Sequence, residues 1–208
     1  KTRRILCIGK KKYRLVFNGS LKAIAHHVSK SRATNPYILP TFRQNSGAMV
    51  QVLGNKPSIL NRFISEMRNV DIQGDSMRFR RNLERCGELM AYEISKVLHA
   101  EEQEVVTPLG THRSKLPAEP LVLATILRAG LPLHQGLLSY FDDAENAVIS
   151  AYRKPGHGDD FTIEIEYLSS PSIKGKTLIL CDPMLATGRS MVLAWKAIVA
   201  ERGVPNHT

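Results

Sequence analysis

The sequence is poor in aromatic residues (6%, with a single Trp), holds three cysteines, and contains no Asp or Glu anywhere in residues 1–56. Each shortage excludes something. Cys7, Cys86 and Cys181 show no C-x-x-C spacing and sit in apolar runs, so neither a disulfide framework nor a zinc site is indicated, and a reducing, cytoplasmic compartment fits best. No apolar stretch approaches the ~20 residues that a membrane-spanning helix needs, so no membrane partner is expected. With 208 residues, 43% of them hydrophobic, the chain can form one sizeable core and is short for two. The formal charge of +10 invites a nucleic-acid reading, but twelve of the 29 Lys and Arg residues lie in 1–56. The remaining 17 face 19 acidic residues in 57–208, a net charge of −2. A basic extension over 1–56 and a nearly neutral domain over 57–208 are therefore expected.

In the extension, Ile5, Leu6 and Ile8 and then Tyr13, Leu15 and Phe17 suggest two short strands around Gly9-Lys10-Lys11-Lys12. Leu21, Ile24, Ala25 and Val28 follow at helical spacing. From Pro57 the signals become regular. A short helix is expected around Ile59, Phe63, Ile64 and Met67. A longer one follows Asp75-Ser76, with Phe79, Leu83, Cys86, Met90, Ile94 and Val97 forming its core stripe. Val105 to Thr111, with Pro108 and Gly110, reads as the start of a small hairpin. Leu121–Leu127 is an apolar run suited to a strand covered on both faces, and a helix through Leu133 to Tyr140 comes after it. Val148 to Tyr152 and Thr177 to Cys181 repeat the buried-strand pattern. Between them, Phe161, Ile163, Ile165 and Tyr167 alternate with polar residues, as in a strand with one wet face. A last helix carries Val192, Trp195, Ile198 and Val199 and stops near Gly203. Buried strands alternating with helices predict an α/β fold with a largely parallel sheet.

Ligands of open α/β sheets gather outside the carboxyl ends of strands. The apolar strand ending at Cys181 delivers Asp182 to such an end, and Ala186-Thr187-Gly188-Arg189-Ser190 turns from there into a helix. Free amide N–H groups and the helix dipole favour a phosphate at that turn; Thr187 and Ser190 add hydroxyl donors, and Gly188 permits close approach. Asp182 would repel a phosphate but accepts hydrogen bonds from hydroxyls. A ligand with a diol beside a phosphomonoester satisfies both, as a ribose 5-phosphate does. Ser190 taken alone reads better as a helix cap.

The segment CDPMLATGRS at 181 to 190 resembles the 5-phosphoribosyl-1-pyrophosphate (PRPP) motif of phosphoribosyltransferases, and its DPMLATG form resembles the uracil phosphoribosyltransferase family in particular. LRAGL at 127 to 131, AYR at 151 to 153, MRFRRNLERCGELMAYE at 77 to 93 and TPLGT at 107 to 111 are similar to family segments in the same order. The resemblance implies a Rossmann-like phosphoribosyltransferase fold with a small β hairpin arm, PRPP and uracil as substrates, Mg2+ bound with PRPP, and a homo-oligomer. It also assigns residues. Asp182 and Arg128 are the implied catalytic pair. The PRPP site would comprise Arg128, Ala129, Gly130, Arg153, Asp182, Pro183, Met184, Leu185, Ala186, Thr187, Gly188, Arg189 and Ser190. No protein-only metal cage is apparent.

The chain departs from the family pattern twice. Position 189 is usually Gly or Ser in the family and is Arg here; its side chain can hinder a phosphate or add charge to it, and the sequence leaves both open. Family members also continue past the final helix with further strands and a Gly-Asp-rich segment that recognises uracil. The expectation is a chain that starts and ends inside a longer sequence, carries most of the PRPP half-site, and lacks the base pocket needed to form product. The alternative reading is a non-catalytic phosphoribosyltransferase-fold regulator that binds RNA through the basic extension; the neutral domain opposes it. His134 is read as helix-face packing, Asp142, Asp143, Asp159 and Asp160 as solvated turns, and His26-His27 as having no metal role.

Overall fold

The computed structural model describes residues 4–6, 49–155, 161–184 and 188–208, with the backbone alone at 4–6, 49–50, 153–155 and 161–163. In chain order the elements are β1 (Arg4–Leu6), β2 (Met49–Gln51), α1 (Ile59–Arg68), α2 (Ser76–Ser95), β3 (Ala100–Thr107), β4 (Gly110–Pro117), β5 (Leu121–Leu127), α3 (Leu131–Leu138), β6 (Glu145–Pro155), β7 (Phe161–Ser169), β8 (Thr177–Cys181) and α4 (Arg189–Arg202). The main sheet has the order β7-β6-β5-β8. β5 pairs in parallel with both β6 and β8, and β7 runs antiparallel along the outside of β6.

β5 and β8 pack apolar side chains on both faces, which is why they read as unbroken apolar runs. On one face, Leu121 and Leu123 of β5 and Ile179 and Cys181 of β8 pack with Leu60, Met67, Leu83, Met90, Leu133 and Leu137 from α1 to α3. On the other, Val122, Ala124 and Ile126 join Leu178, Ile149, Ala194 and Ile198, which seats α4. The product is a helix–sheet–helix sandwich, the α/β class expected.

α2 starts where its cap predicts, with the Asp75 carboxylate accepting from the Arg78 N–H at 2.9 Å. Of its expected stripe, Leu83, Cys86 and Met90 are buried, and Phe79 and Ile94 pack against them. Val97 does not belong: the helix ends at Ser95, and Val97 is exposed. α3 likewise stops short of Tyr140, which is exposed in the turn beyond it. α2 and α3 touch backbone to backbone through two glycines. A Cβ on Gly87 would stand 2.3 Å from the Leu133 carbonyl oxygen, and one on Gly136 would stand 1.9 Å from that of Glu84. Gly136→Ala should therefore push the helices apart and lower unfolding free energy by ~1–3 kcal/mol or more, read as a reduced denaturant midpoint at unchanged slope.

The alternation along β7 is corrected by a bulge. Ala151 pairs with Ile165 but Ser150 pairs with Tyr167, leaving Glu166 as an extra residue. One inserted residue reverses the parity of every side chain beyond it. Leu168 thus joins Ile165 in the core, and Tyr167, expected inside, is exposed. In the extension, Arg4–Leu6 pairs in parallel with Met49–Gln51. The second strand and the helix expected near 13–28 lie outside the described residues. β3 and β4 form the expected hairpin, longer than the sequence suggests and solvent-exposed along nearly its whole length. At the other end of the chain, residues 206–207 lie along the outer edge of β8. The Leu178 N–H donates to the His207 carbonyl and the Asn206 N–H to that of Lys176, both at 2.9 Å.

Candidate functional site

Parallel pairing of β5 with β8, in register at Thr125 and Cys181, brings the carboxyl ends of the two strands side by side. From β5 the chain turns through a cis Leu127–Arg128 peptide into Arg128-Ala129-Gly130, and from β8 it passes into Asp182. Gly130 welds the two turns together. A Cβ there would lie 2.3 Å from Thr125 Oγ1, 2.7 Å from the Ile126 carbonyl oxygen and 3.2 Å from that of Cys181. Its φ of −72° is ordinary, so the demand for glycine is one of space. Arg128 and Ala129 are exposed. Among the described residues neither of their N–H groups has a backbone acceptor, whereas the Gly130 N–H donates to Ile126 at 3.1 Å.

On the β8 side, Gly188 is buried with φ of +74°, the left-handed region that favours glycine, and it is the N-cap of α4. The helix therefore opens at Arg189, at the positive end of its dipole, and Ser190, read alone as a cap, is instead its second residue. Arg189 is exposed, so its side chain is not packed beneath the turn. Leu185, Ala186 and Thr187 lie outside the described residues. Asp182 is half-buried, and its Oδ1 accepts from the Met184 N–H at 3.1 Å. Burial holds its carboxyl above the usual carboxylate range, and the Met184 hydrogen bond opposes that rise. The same seclusion pushes the Cys181 thiol up to about 12, first through burial and then through the neighbouring Asp182 charge. Arg153 lies on β6 beyond the point where β5 ends, its backbone paired with Ile163; its side chain is outside the described residues.

His134 is buried on α3, and burial lowers its pKa against hydrogen bonds to the Leu123 backbone and to Asn146, in keeping with packing. Asp142 and Asp143 are exposed in a turn. Asp159, Asp160 and His26-His27 lie outside the described residues. Cys86 and Cys181 are free and buried. Among the described residues no group of three or more His, Cys, Asp or Glu could hold a metal, and no helix is long and apolar enough to cross a membrane. Thr125, beneath Gly130, was not marked by any motif. Its one signal is that it is the single polar residue in the run Leu121–Leu127.

The family model described as uracil phosphoribosyltransferase matches residues 55–208, and so includes every element of the site. The chain belongs to the uracil phosphoribosyltransferase family. A curated uracil phosphoribosyltransferase of Porphyromonas gingivalis is 57% identical over 155 residues, covering 74% of this chain and 71% of that protein. One from Sulfolobus acidocaldarius is 36% identical over 154 residues, covering 70% of each. Among solved structures, the AQ2163 protein from Aquifex aeolicus is 29% identical with a TM-score of 0.61, over 70% of this chain and 68% of that one. In this uracil phosphoribosyltransferase-family chain, Arg128-Ala129-Gly130 follows β5 and Asp182 follows β8 at one edge of the sheet, and Arg153 lies on the neighbouring strand β6.

Proposed function

We propose that the chain binds PRPP across the joined ends of β5 and β8, the PRPP half of the site at which a uracil phosphoribosyltransferase of cytoplasmic pyrimidine salvage transfers the phosphoribosyl group to a ring nitrogen of uracil, forming uridine monophosphate and pyrophosphate. The observation that carries this reading is the register of β5 with β8, which brings together the strand ends that lead into Arg128-Ala129-Gly130 and into Asp182. Ribose 5-phosphate lies on the β8 side. The amides at 188–190 meet its phosphate, and Asp182 accepts from its hydroxyls. Pyrophosphate lies on the β5 side, against Arg128 and the Arg128 and Ala129 N–H groups, with Arg153 closing from β6.

In the reaction, the bond from ribose C1 to a pyrophosphate oxygen breaks and its electron pair leaves with pyrophosphate. The uracil nitrogen supplies the pair for the new bond to C1 and gives up its proton. Positive charge develops on the ribose and negative charge on the leaving group, so Arg128 and the adjacent amides stabilise the transition state more than the ground state. Asp182 answers the charge on the sugar. Mg2+ fits here as an ion held chiefly by phosphate oxygens, since among the described residues no group of three or more His, Cys, Asp or Glu could hold it, and it would supply charge neutralisation of the diphosphate.

Arg128→Ala tests the division of the site. Calorimetric titration should show pyrophosphate binding weakened roughly 10- to 100-fold, the loss of charge-assisted hydrogen bonds, and ribose 5-phosphate binding unchanged. Equal weakening of both would contradict it.

The hairpin supports a homo-oligomer. A two-stranded hairpin is marginal in water by itself, yet this one exposes Val106 (85%) and Leu109 (101%) and makes no extensive contact with any other described element. Covered by a second copy, those residues would leave water. Sedimentation should give an oligomer that Val106→Asp with Leu109→Asp dissociates; a monomeric wild-type chain at micromolar concentration would count against it.

A further inference from the structure

We infer that Thr125 is a positioning residue that holds the Arg128-Ala129-Gly130 turn in its pyrophosphate-binding form, an inference that rests on the proposed function. Thr125 is fully buried in β5, and its Oγ1 has no hydrogen-bond partner among the described residues. A buried hydroxyl without a partner is costly to keep, and an aliphatic side chain of the same shape would carry no such cost. The place of this hydroxyl suggests why it is there. It lies directly under Gly130, 2.3 Å from where a Cβ would stand, with the Cys181 carbonyl flanking the same spot. The backbone groups of Gly130 are already engaged, its N–H with Ile126 and its C=O with the His134 N–H at 2.9 Å. Among the described residues the Arg128 and Ala129 N–H groups have no backbone acceptor. When pyrophosphate draws those amides toward itself, the turn shifts over Thr125, and the hydroxyl gains a backbone partner that it lacks in the free protein. A bond present in only one of two states favours ligand binding by its own free energy.

The test uses the whole chain, inorganic pyrophosphate with Mg2+, and ribose 5-phosphate as the internal control. Thr125→Val should weaken pyrophosphate binding roughly tenfold, leave ribose 5-phosphate binding unchanged, and match or exceed the wild-type melting temperature. Thr125→Ser, which keeps the hydroxyl, should bind pyrophosphate like the wild type. Should the valine variant fold poorly, Thr125→Ala against Thr125→Ser makes the same comparison, since both lose the methyl packing and only serine retains the hydroxyl. Equal pyrophosphate affinity with and without the hydroxyl overturns the inference alone. Absence of pyrophosphate binding by the wild-type chain overturns the reading of the site and the inference together.

Discussion

Asp182→Asn should weaken PRPP binding about 100-fold while leaving the protein at least as stable as the wild type at pH 7. The binding loss follows from changing a charged acceptor of two ribose hydroxyls into a neutral amide, at roughly 1.4 kcal/mol for each bond. The stability forecast follows from burial. Asp182 has its carboxyl raised above the usual range, so the folded state holds its proton more tightly than the unfolded chain does. A group shifted this way contributes stability that is fully present below its unfolded pKa and is lost as pH rises through its folded pKa. At neutral pH the wild type therefore carries the cost of a half-buried charge that the asparagine variant lacks. Asparagine can still accept from the Met184 N–H. Melting curves at pH 7 and in acid should show the variant's advantage shrink as the wild-type carboxyl becomes protonated. PRPP affinity of the wild type should fall over that same acid range, because the protonated acid is a poorer acceptor. A variant that lost stability and affinity together at pH 7 would mark Asp182 as structural.

Gly130→Ala should cost both stability and binding. Two of the three close contacts of an added Cβ are with backbone oxygens, those of Ile126 and Cys181, which cannot rotate aside as a side chain can. The turn must lift from the strand ends, at ~1–3 kcal/mol of overpacking. Lifting it also moves Arg128 and Ala129 away from Asp182, so PRPP binding should fall more than tenfold, a size in keeping with misplacing catalytic groups. Denaturant unfolding and calorimetry on the same variant check the two losses. Normal PRPP affinity in a destabilised Gly130→Ala would show that the turn is structural and does not hold the ligand.

The contrast between these two residues shows what the sequence conveys. Asp182 and Gly188 are legible because local chemistry singles them out: an acid directly after a buried strand, and a glycine at a turn into a helix. Gly130 was legible as part of a motif, but its role in joining two strands was not. β5 and β8 are separated by β6 and β7 in the chain, and only tertiary pairing makes them neighbours. Thr125 was invisible for a related reason, since a hydroxyl in an apolar strand acquires meaning only from what lies above it. The run Leu121–Leu127 matches its expectation, because an unbroken apolar run has no parity to misjudge, whereas the strand expected to be buried through Tyr152 exposes that residue and continues to Pro155, where the sequence suggests a polar loop. β7 has parity, and there Tyr167 was misplaced by a bulge that the pairing of Ser150 and Ala151 decides. Val97 was carried into the stripe of α2 because Ser95-Lys96-Val97 contains no Gly or Pro to announce the end of the helix. The reading as an RNA-binding regulator gains no support from the fold or from the family.

The most direct measurement is a pair of competition titrations in which labelled PRPP, bound to the wild-type chain with Mg2+, is displaced separately by ribose 5-phosphate and by pyrophosphate. If the edge formed by β5 and β8 is one site with two halves, each fragment displaces PRPP fully and both bind together at saturation. If either fragment fails to compete, or if PRPP does not bind at all, the central claim is wrong.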